Sequence, residues 1–193
     1  MRNKDLAAIE PLYFGYEDVA RAFGIGLQSA RVTASRYVGM GLLVRLKRNT
    51  YVLRSKWDRL EPGERFSLAN LGQTPSYISL MTALDYYDLT TQVQRGVVES
   101  AAIKRTREIA LNDWVFRYTR LSNRLYFGFT KTGNFFIAQP EKALLDACYL
   151  VSLGRYSLDR HALELDRLDR KAVRRMSQKF PLRTRKLLAT WIS

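Results

Sequence analysis

Residues 14–53 read FGYEDVARAFGIGLQSARVTASRYVGMGLLVRLKRNTYVL and hold the clearest structural pattern in the chain. Apolar residues at helical spacing predict a short first helix, and Gly24 and Gly26 allow a sharp turn after it. The spacing then predicts a second helix from Leu27 to Met40, which ends at a glycine. Residues 43–53 alternate as in a small β-hairpin with a basic tip. This stretch therefore predicts two helices joined by a tight turn and followed by a hairpin.

The second predicted helix has two chemically different faces. Its inward face is small and apolar, and is formed by Ala30, Ala34, Tyr37 and Val38. The opposite face carries side chains that can bond base edges or phosphates, namely Gln28, Ser29, Arg31, Ser35 and Arg36. The hairpin adds the cations of Arg45, Lys47 and Arg48, and Asn49 at its tip tolerates a left-handed backbone. We interpret this stretch as a winged helix-turn-helix that binds duplex DNA, with the second helix in the major groove.

Basic residues are concentrated towards the two ends of the chain. There are 32 Lys and Arg against 18 Asp and Glu, a formal net charge of +14. Residues 1–60 hold 11 basic and 5 acidic side chains, residues 61–150 hold 10 and 9, and residues 151–193 hold 11 and 4. This distribution predicts two surfaces for a polyanion. The second surface is expected at Arg167, Arg170, Lys171, Arg174 and Arg175. Helical spacing would put Arg167, Lys171 and Arg174 on one face.

Composition predicts a cytoplasmic protein. No apolar run approaches the roughly 20 residues that a membrane span needs, and the N-terminus lacks the apolar core of a signal peptide. Cys148 is the only cysteine, so no internal disulfide can form, and we expect it to be a buried, inert thiol. His161 is the only histidine, which excludes a histidine-based metal cluster or catalytic triad within one chain.

A polar segment at residues 55–65, which contains Pro62-Gly63, predicts a domain junction. We therefore expect a DNA-binding domain over residues 1–60 and a second domain over residues 66–193. The pattern of the second domain predicts helices at about 66–71, 80–87 and 140–150, strands at 97–103, 114–119, 125–129 and 134–138, and a basic helical region at 159–192. The expected fold class is α+β, with a small mixed domain and a helical tail after the winged helix-turn-helix.

Three blocks of sequence resemble one protein family. They are GLLVRLKRNTYVL at residues 41–53, YISLMTALDYYDLT at residues 77–90 and AQPEKALLD at residues 138–146. Through these blocks the chain resembles the AbiEi family, the antitoxin and transcriptional regulator of AbiE abortive-infection toxin–antitoxin systems. The order and spacing of the blocks agree with the family over roughly residues 14–150.

The resemblance implies a repressor that binds the operator of its own operon and acts in phage defence. It also implies that the second domain counteracts a cognate nucleotidyltransferase-like toxin. In this family, neutralisation is thought not to need a stable toxin–antitoxin complex, so the toxin is expected as a functional partner. Both a monomer and a dimer on DNA are compatible with the sequence. The chain departs from the family pattern at Leu80, where His is common, at Asp88, where Gly is common, and at Asn49, where the wing often has Gly.

Two alternative functions stay open at the level of sequence. In a nucleic-acid-processing enzyme with a winged-helix targeting domain, Glu141, Lys142 and Asp146 would converge on a cation. Glu141 and Lys142 are adjacent, however, and neighbours on a helix point to different sides, so we expect structural roles for these residues. In an RNA-binding module, bases would stack on the aromatic residues of the predicted strands, Trp114, Phe116, Tyr118, Tyr126, Phe127 and Phe129. We expect core packing there, and we predict no catalytic residue, metal or cofactor.

Overall fold

The computed structural model describes residues 6, 8–92 and 94–192. Its internal contacts divide the chain into two compact units, Met1–Arg65 and Phe66–Ser193. The chain has an α+β fold, as predicted. Within the described residues, no helix combines the length and the apolar character that crossing a membrane requires.

The first unit begins with two helices. Helix α1 spans Tyr16–Phe23 and helix α2 spans Leu27–Gly39. Gly24, which follows α1, has a φ of 60°, in the left-handed region that glycine adopts without steric penalty. The predicted turn between two helices is therefore confirmed. At the start of α1, the backbone N–H of Gly15 donates a hydrogen bond of 2.9 Å to the Asp18 carboxylate.

The predicted hairpin follows. Strand β1, Leu43–Lys47, pairs antiparallel with strand β2, Thr50–Leu53, and the register is irregular between Arg45 and Lys47. Phe14 forms an isolated antiparallel bridge with Tyr51, through two backbone hydrogen bonds of 3.0 and 2.9 Å. A short helix, α3, at Arg54–Trp57 comes directly after the hairpin. An apolar cluster in the core of this unit includes Leu6, Ile9, Phe14, Val19, Phe23, Ala30, Ala34, Tyr37, Leu43, Tyr51 and Leu53.

The second unit is built around a six-stranded mixed sheet. Its strands are β3 (Ser76–Ile78), β4 (Val97–Ala102), β5 (Arg107–Leu111), β6 (Trp114–Arg120), β7 (Phe129–Thr132) and β8 (Phe135–Ala138). They lie in the order β5-β6-β4-β3-β8-β7, in which β4–β6 and β3–β8 are parallel pairs and the other neighbours are antiparallel. The helices are α4 (Pro62–Gly72), within which the unit boundary falls, α5 (Leu80–Tyr86), α6 (Pro140–Ser152), α7 (Arg170–Ser177) and α8 (Leu182–Ile192).

Several predicted elements are wrong in type or extent. The polar segment at 55–65 is partly helical, because α3 ends within it and α4 begins at Pro62, a residue suited to the first turn of a helix. The strand predicted at 125–129 is absent, because a 3-10 turn at Asn123–Leu125 precedes β7. The helical region predicted at 159–192 begins with two 3-10 turns, Arg160–Ala162 and Leu165–Arg167, and only then forms α7 and α8. Strands β3 and β5 were not predicted.

Candidate nucleic-acid interface

Helix α2 separates its side chains as the sequence predicted. Ala30, Ala34 and Tyr37 are buried, and Val38 packs against the core of the first unit. The small alanines allow α1 and α2 to pack closely. The predicted DNA-binding residues of this helix, Gln28, Ser29, Arg31, Ser35 and Arg36, are all exposed. We call these five residues, together with Val32, the outer face of α2.

Sequence reasoning missed an apolar feature of the outer face. The Val32 side chain is 53% exposed and lies four residues after Gln28 and four residues before Arg36 on the same helix. About half of this valine stays in water, so folding recovers only part of the free energy of burying it. Its isopropyl group can contact a C5-methyl group of thymine, which is the apolar group that the DNA major groove offers. The signal was present in the sequence, since Val32 does not belong to the inward spacing of Ala30 and Ala34.

The basic hairpin residues stand at or near the surface. Arg45 on β1 and Arg48 in the turn are exposed, and Lys47 is partly buried. Burial raises the pKa of the Tyr51 hydroxyl to about 12, and a hydrogen bond with Tyr16 raises it too. The positive charges of Arg45 and Arg31 act in the opposite direction. A cation of the hairpin and a cation of α2 therefore both lie close enough to influence the same hydroxyl.

Asn49 joins the hairpin turn to the start of α1. Its φ of 53° confirms the predicted left-handed backbone. Its side-chain oxygen accepts a hydrogen bond of 2.6 Å from the Tyr16 backbone N–H, and its amide nitrogen donates one of 3.3 Å to the Glu17 carboxylate. A Cβ atom at Gly15 would lie 2.8 Å from the Glu17 carboxylate and 3.1 Å from the Asn49 side chain, so a larger residue there would displace both side chains. These contacts hold the turn against the N-terminus of α1, a role that the sequence pattern did not reveal.

The second predicted basic surface is only partly continuous. Lys171, Arg174 and Arg175 are exposed on α7, and Arg170 at its first position forms an ion pair of 3.2 Å with Asp166. Arg167 lies in a 3-10 turn before α7 and donates a hydrogen bond to the Asp88 carbonyl oxygen. The prediction that Arg167 shares one helical face with Lys171 and Arg174 is therefore wrong, because the helix begins after Arg167.

Two of the three residues of α6 that were considered for a cation site lie in a buried cluster. Lys142 and Asp146 are both fully buried and form an ion pair one helical turn apart. The hydroxyls of Tyr77 and Ser79 each donate a hydrogen bond of 2.8 Å to Asp146, and the Lys142 ammonium donates one of 2.8 Å to the Tyr77 hydroxyl. We call these four residues the buried cluster. Burial lowers the pKa of Lys142, and the Asp146 carboxylate partly offsets this.

Three aromatic rings complete the surroundings of the Lys142 ammonium. It lies 5.3 Å from the ring centre of Tyr77, 5.1 Å from that of Phe127 and 5.3 Å from that of Phe180. Aromatic faces attract a desolvated cation, so these rings help to compensate the loss of water around the ammonium. Glu141 lies outside the cluster, and its carboxylate accepts a hydrogen bond of 3.2 Å from the Asp169 backbone N–H. The positive charge that pairs with Asp146 is therefore the ammonium of Lys142.

Leu80 has a strained backbone that two buried carboxylates hold in place. Its φ of 56° lies in the left-handed region, which leucine rarely adopts, and its side chain is buried. On one side of it, the Ser79 hydroxyl bonds Asp146. On the other side, the Met81 backbone N–H donates a hydrogen bond of 3.2 Å to Glu99. Burial raises the pKa of Glu99, while the Tyr156 hydroxyl and the charge of Arg117 lower it.

The remaining candidates are the aromatic residues considered for base stacking, the Cys148 thiol and possible metal-ligand clusters. Phe116 and Tyr118 are fully buried, so neither ring is open to stacking on a base. Tyr126 and Phe129 pack against Tyr77 with ring centres 5.2 and 4.5 Å away. Cys148 is buried, and burial raises the pKa of its thiol to about 12. Over residues 6, 8–92 and 94–192, no group of three or more His, Cys, Asp or Glu residues is arranged to hold a metal ion.

Comparison with known proteins gives a likeness in fold. No protein-family model and no curated protein matches the sequence. A crystal structure of the RV2827C protein from Mycobacterium tuberculosis matches with a TM-score of 0.65 and 12% sequence identity, covering 98% of this chain and 74% of that chain. At this level of identity the likeness concerns the arrangement of the backbone alone.

Proposed function

We propose that the first unit is a winged helix-turn-helix that binds duplex DNA, with α2 as its recognition helix and the β1–β2 hairpin as its wing. The observation that carries the proposal is the outer face of α2. Its amide, hydroxyl and guanidinium groups are exposed, while the opposite face of the same helix is buried. Gln can bond adenine and Arg can bond guanine through two hydrogen bonds, so this face has the chemistry for reading bases.

The wing supports the same proposal through charge. Lys47 and Arg48 stand at the tip of the hairpin, and Asn49 fixes that tip by hydrogen bonds to Tyr16 and Glu17. Cations on an ordered tip can neutralise phosphates without ordering a loop at the moment of binding. In this proposal, Arg31 and Arg36 contribute mainly to discrimination between sequences, and Lys47 and Arg48 contribute mainly to affinity.

The test uses the full chain and fluorescence anisotropy with two duplexes. One duplex carries the DNA upstream of the protein's own coding sequence, and the other has the same bases in shuffled order. Lys47→Gln/Arg48→Gln should weaken binding to both duplexes and reduce the slope of log affinity against log salt by about 2, since each phosphate contact contributes about 0.9. Arg31→Ala/Arg36→Ala should reduce the preference for the upstream duplex.

A matched control is available in the second unit. Lys104 and Arg105 are an adjacent, exposed Lys-Arg pair, so Lys104→Gln/Arg105→Gln removes the same charge with the same residue types. We expect this control to leave the salt slope close to that of the wild type. Equal slopes for wild type and Lys47→Gln/Arg48→Gln would refute the wing, and absence of duplex binding at low salt would refute the DNA-binding proposal.

We further propose that the protein is an autorepressor and antitoxin of the AbiEi type. This proposal rests on the three sequence blocks that resemble that family. Its second unit would then counteract a nucleotidyltransferase-like toxin encoded beside it. In the third block, Lys142 and Asp146 are buried inside the unit, so any surface that acts on the toxin would be formed by other residues.

Co-expression tests the antitoxin proposal separately from DNA binding. Cells that express the adjacent nucleotidyltransferase-like gene from an independent promoter should grow when the full-length chain is present. Lys47→Gln/Arg48→Gln should protect them equally well, because the toxin promoter no longer depends on repression. Loss of protection in that variant would mean that antitoxicity acts through DNA. Absence of an adjacent toxin gene, or absence of protection by the wild type, would refute the antitoxin role.

A further inference from the structure

The last two helices of the chain form a groove that the DNA-binding proposal does not use. Helix α7 contributes Arg170, Val173 and Arg174, at spacings of three and four residues. Helix α8 contributes Arg185, Leu188 and Ala189 at the same spacings. The cavity between them has a volume of about 330 Å³. Each helix thus presents one regular face to it.

The groove has arginines at its rim and an apolar floor. Val173 and Leu188 are buried beneath it and have almost no accessible surface, so its accessible apolar side chains are those of Ala189, which is exposed, and Ile192, which is half-buried. Residues 170–192 contain eight basic side chains and no acidic one. Asp166, which lies before this segment, pairs with Arg170. The positive charge of the rim therefore has no counter-charge within the segment that forms the groove.

Arg185 is incompletely satisfied where it lines the groove. Its terminal nitrogen donates a hydrogen bond of 3.3 Å to the Gln178 side chain. Its Nε atom is buried and has no hydrogen-bond partner in the described part of the chain. A buried donor without a partner is costly, and this cost is relieved if the Arg185 side chain turns towards a carboxylate in the groove and forms a charge-assisted hydrogen bond.

The apolar floor discriminates between two kinds of anionic partner. A nucleic-acid backbone offers phosphates to the arginines but has no apolar group to cover Ala189 and Ile192. A groove between two helix faces is instead the form of site in which a third, amphipathic helix lies with apolar side chains inward. One lining face extends over about 10 Å, since seven residues of helix rise by about 1.5 Å each. That length accommodates two turns of a guest helix.

We propose that the α7–α8 groove binds an acidic amphipathic helix of a partner protein. Two apolar side chains of the guest, one turn apart, cover Ala189 and Ile192. Glu or Asp residues beside them pair with Arg170, Arg174 and Arg185. This inference is independent of DNA binding by the first unit, so each can fail without the other.

The experiment measures binding of a defined peptide to the full-length protein. The probe is a fluorescein-labelled, capped helical peptide with Leu at every third and fourth position of one face and Glu on both flanks. A second peptide carries Gln in place of every Glu. We expect the acidic peptide to bind with a Kd below about 1 mM, and the Gln peptide to bind at least about tenfold more weakly.

The chain offers a charge-matched control on the same helices. Arg170→Gln/Arg174→Gln/Arg185→Gln removes the three rim cations. Lys171→Gln/Arg175→Gln/Lys186→Gln removes three exposed cations of α7 and α8 that do not line the cavity. The rim variant should lose at least about tenfold in affinity for the acidic peptide, and the control should lose less than about threefold. Ala189→Glu, a single change at an exposed floor position, should also weaken binding of the acidic peptide.

Three outcomes would overturn the inference. Equal losses in the rim variant and the control variant would mean that the peptide responds only to overall charge. No binding of the acidic peptide at about 1 mM would mean that the groove does not accept such a helix. A 20-base-pair duplex whose affinity falls in the rim variant, while peptide affinity does not, would assign the groove to phosphate. Circular dichroism of each variant establishes that it is folded.

Discussion

Asp146→Asn tests whether the buried cluster is a structural ion pair. Asparagine keeps the shape of aspartate and an oxygen that can accept from Tyr77 and Ser79, but it removes the charge that faces Lys142. The ammonium is fully buried, so it would be left without a counter-ion. Removal of one partner from a buried pair costs about 3–5 kcal/mol. For a chain of this size, each kcal/mol corresponds to about 2–4 °C in Tm, so we expect a fall of about 6–20 °C.

The assay is thermal and denaturant unfolding followed by circular dichroism, with a double variant as the decisive comparison. Lys142→Met/Asp146→Asn removes the ammonium that Asp146→Asn leaves unpaired. The double variant should therefore be more stable than the single one. Glu141→Gln is the neighbouring control and should change the free energy of unfolding by less than about 1 kcal/mol, since its contact is exposed. A double variant less stable than Asp146→Asn would refute the reasoning.

The pH dependence of Asp146→Asn gives a second readout. Burial already lowers the pKa of Lys142 below its usual 10.5, and Asp146 is the group that raises it again. Without Asp146, the folded state releases this proton at a lower pH than the unfolded state does. Between the two pKa values the unfolded chain holds more protons, so stability rises with pH there. Between neutral pH and pH 10, we expect the free energy of unfolding of Asp146→Asn to rise by more than that of the wild type. The double variant lacks Lys142, so it should not show this additional rise.

Four further variants address the first unit and the core. Val32→Ala should weaken DNA binding by about fivefold, because it removes apolar surface worth about 1 kcal/mol, and an unchanged affinity would exclude a contact there. Asn49→Gly should lower stability by about 1 kcal/mol, since it keeps the left-handed backbone but loses the hydrogen bond to Tyr16. Asn49→Ala should cost more, and the reverse order in thermal unfolding would contradict this account. Leu144→Ala should cost about 2–5 kcal/mol in denaturant unfolding, because Leu144 is fully buried; a loss below 1 kcal/mol would contradict that packing.

The elements with a strong local pattern could be predicted from the sequence. The inward spacing of Ala30, Ala34 and Tyr37 identified the buried face of α2, because a helix repeats its faces every three to four residues. Asn49 was assigned a left-handed backbone because few residues other than glycine and asparagine tolerate it. In both cases the property depends on neighbours along the chain, so no knowledge of the tertiary structure was needed.

Properties set by distant residues could not be predicted in this way. Strand β5, Arg107–Leu111, has two charged residues followed by three apolar ones, so it lacks the alternation of a strand, and it pairs with β6. The burial of Lys142 depends on Tyr77, which lies 65 residues earlier in the chain. A lysine followed four residues later by aspartate is typical of an exposed helix surface as well, so the spacing alone does not reveal a buried pair. The contribution of Arg185 to the groove likewise depends on how α8 packs beside α7.

The two basic surfaces differ in what their side chains can distinguish. The outer face of α2 combines amide, hydroxyl and guanidinium groups with one exposed valine, so it can donate to bases, accept from bases and contact a methyl group. The rim of the α7–α8 groove offers arginines only, which donate and never accept. Such a rim can select negative charge, but it cannot accept a hydrogen bond from a base. Variants of the groove should therefore leave the preference between upstream and shuffled duplex unchanged, while variants of Arg31 and Arg36 alter it.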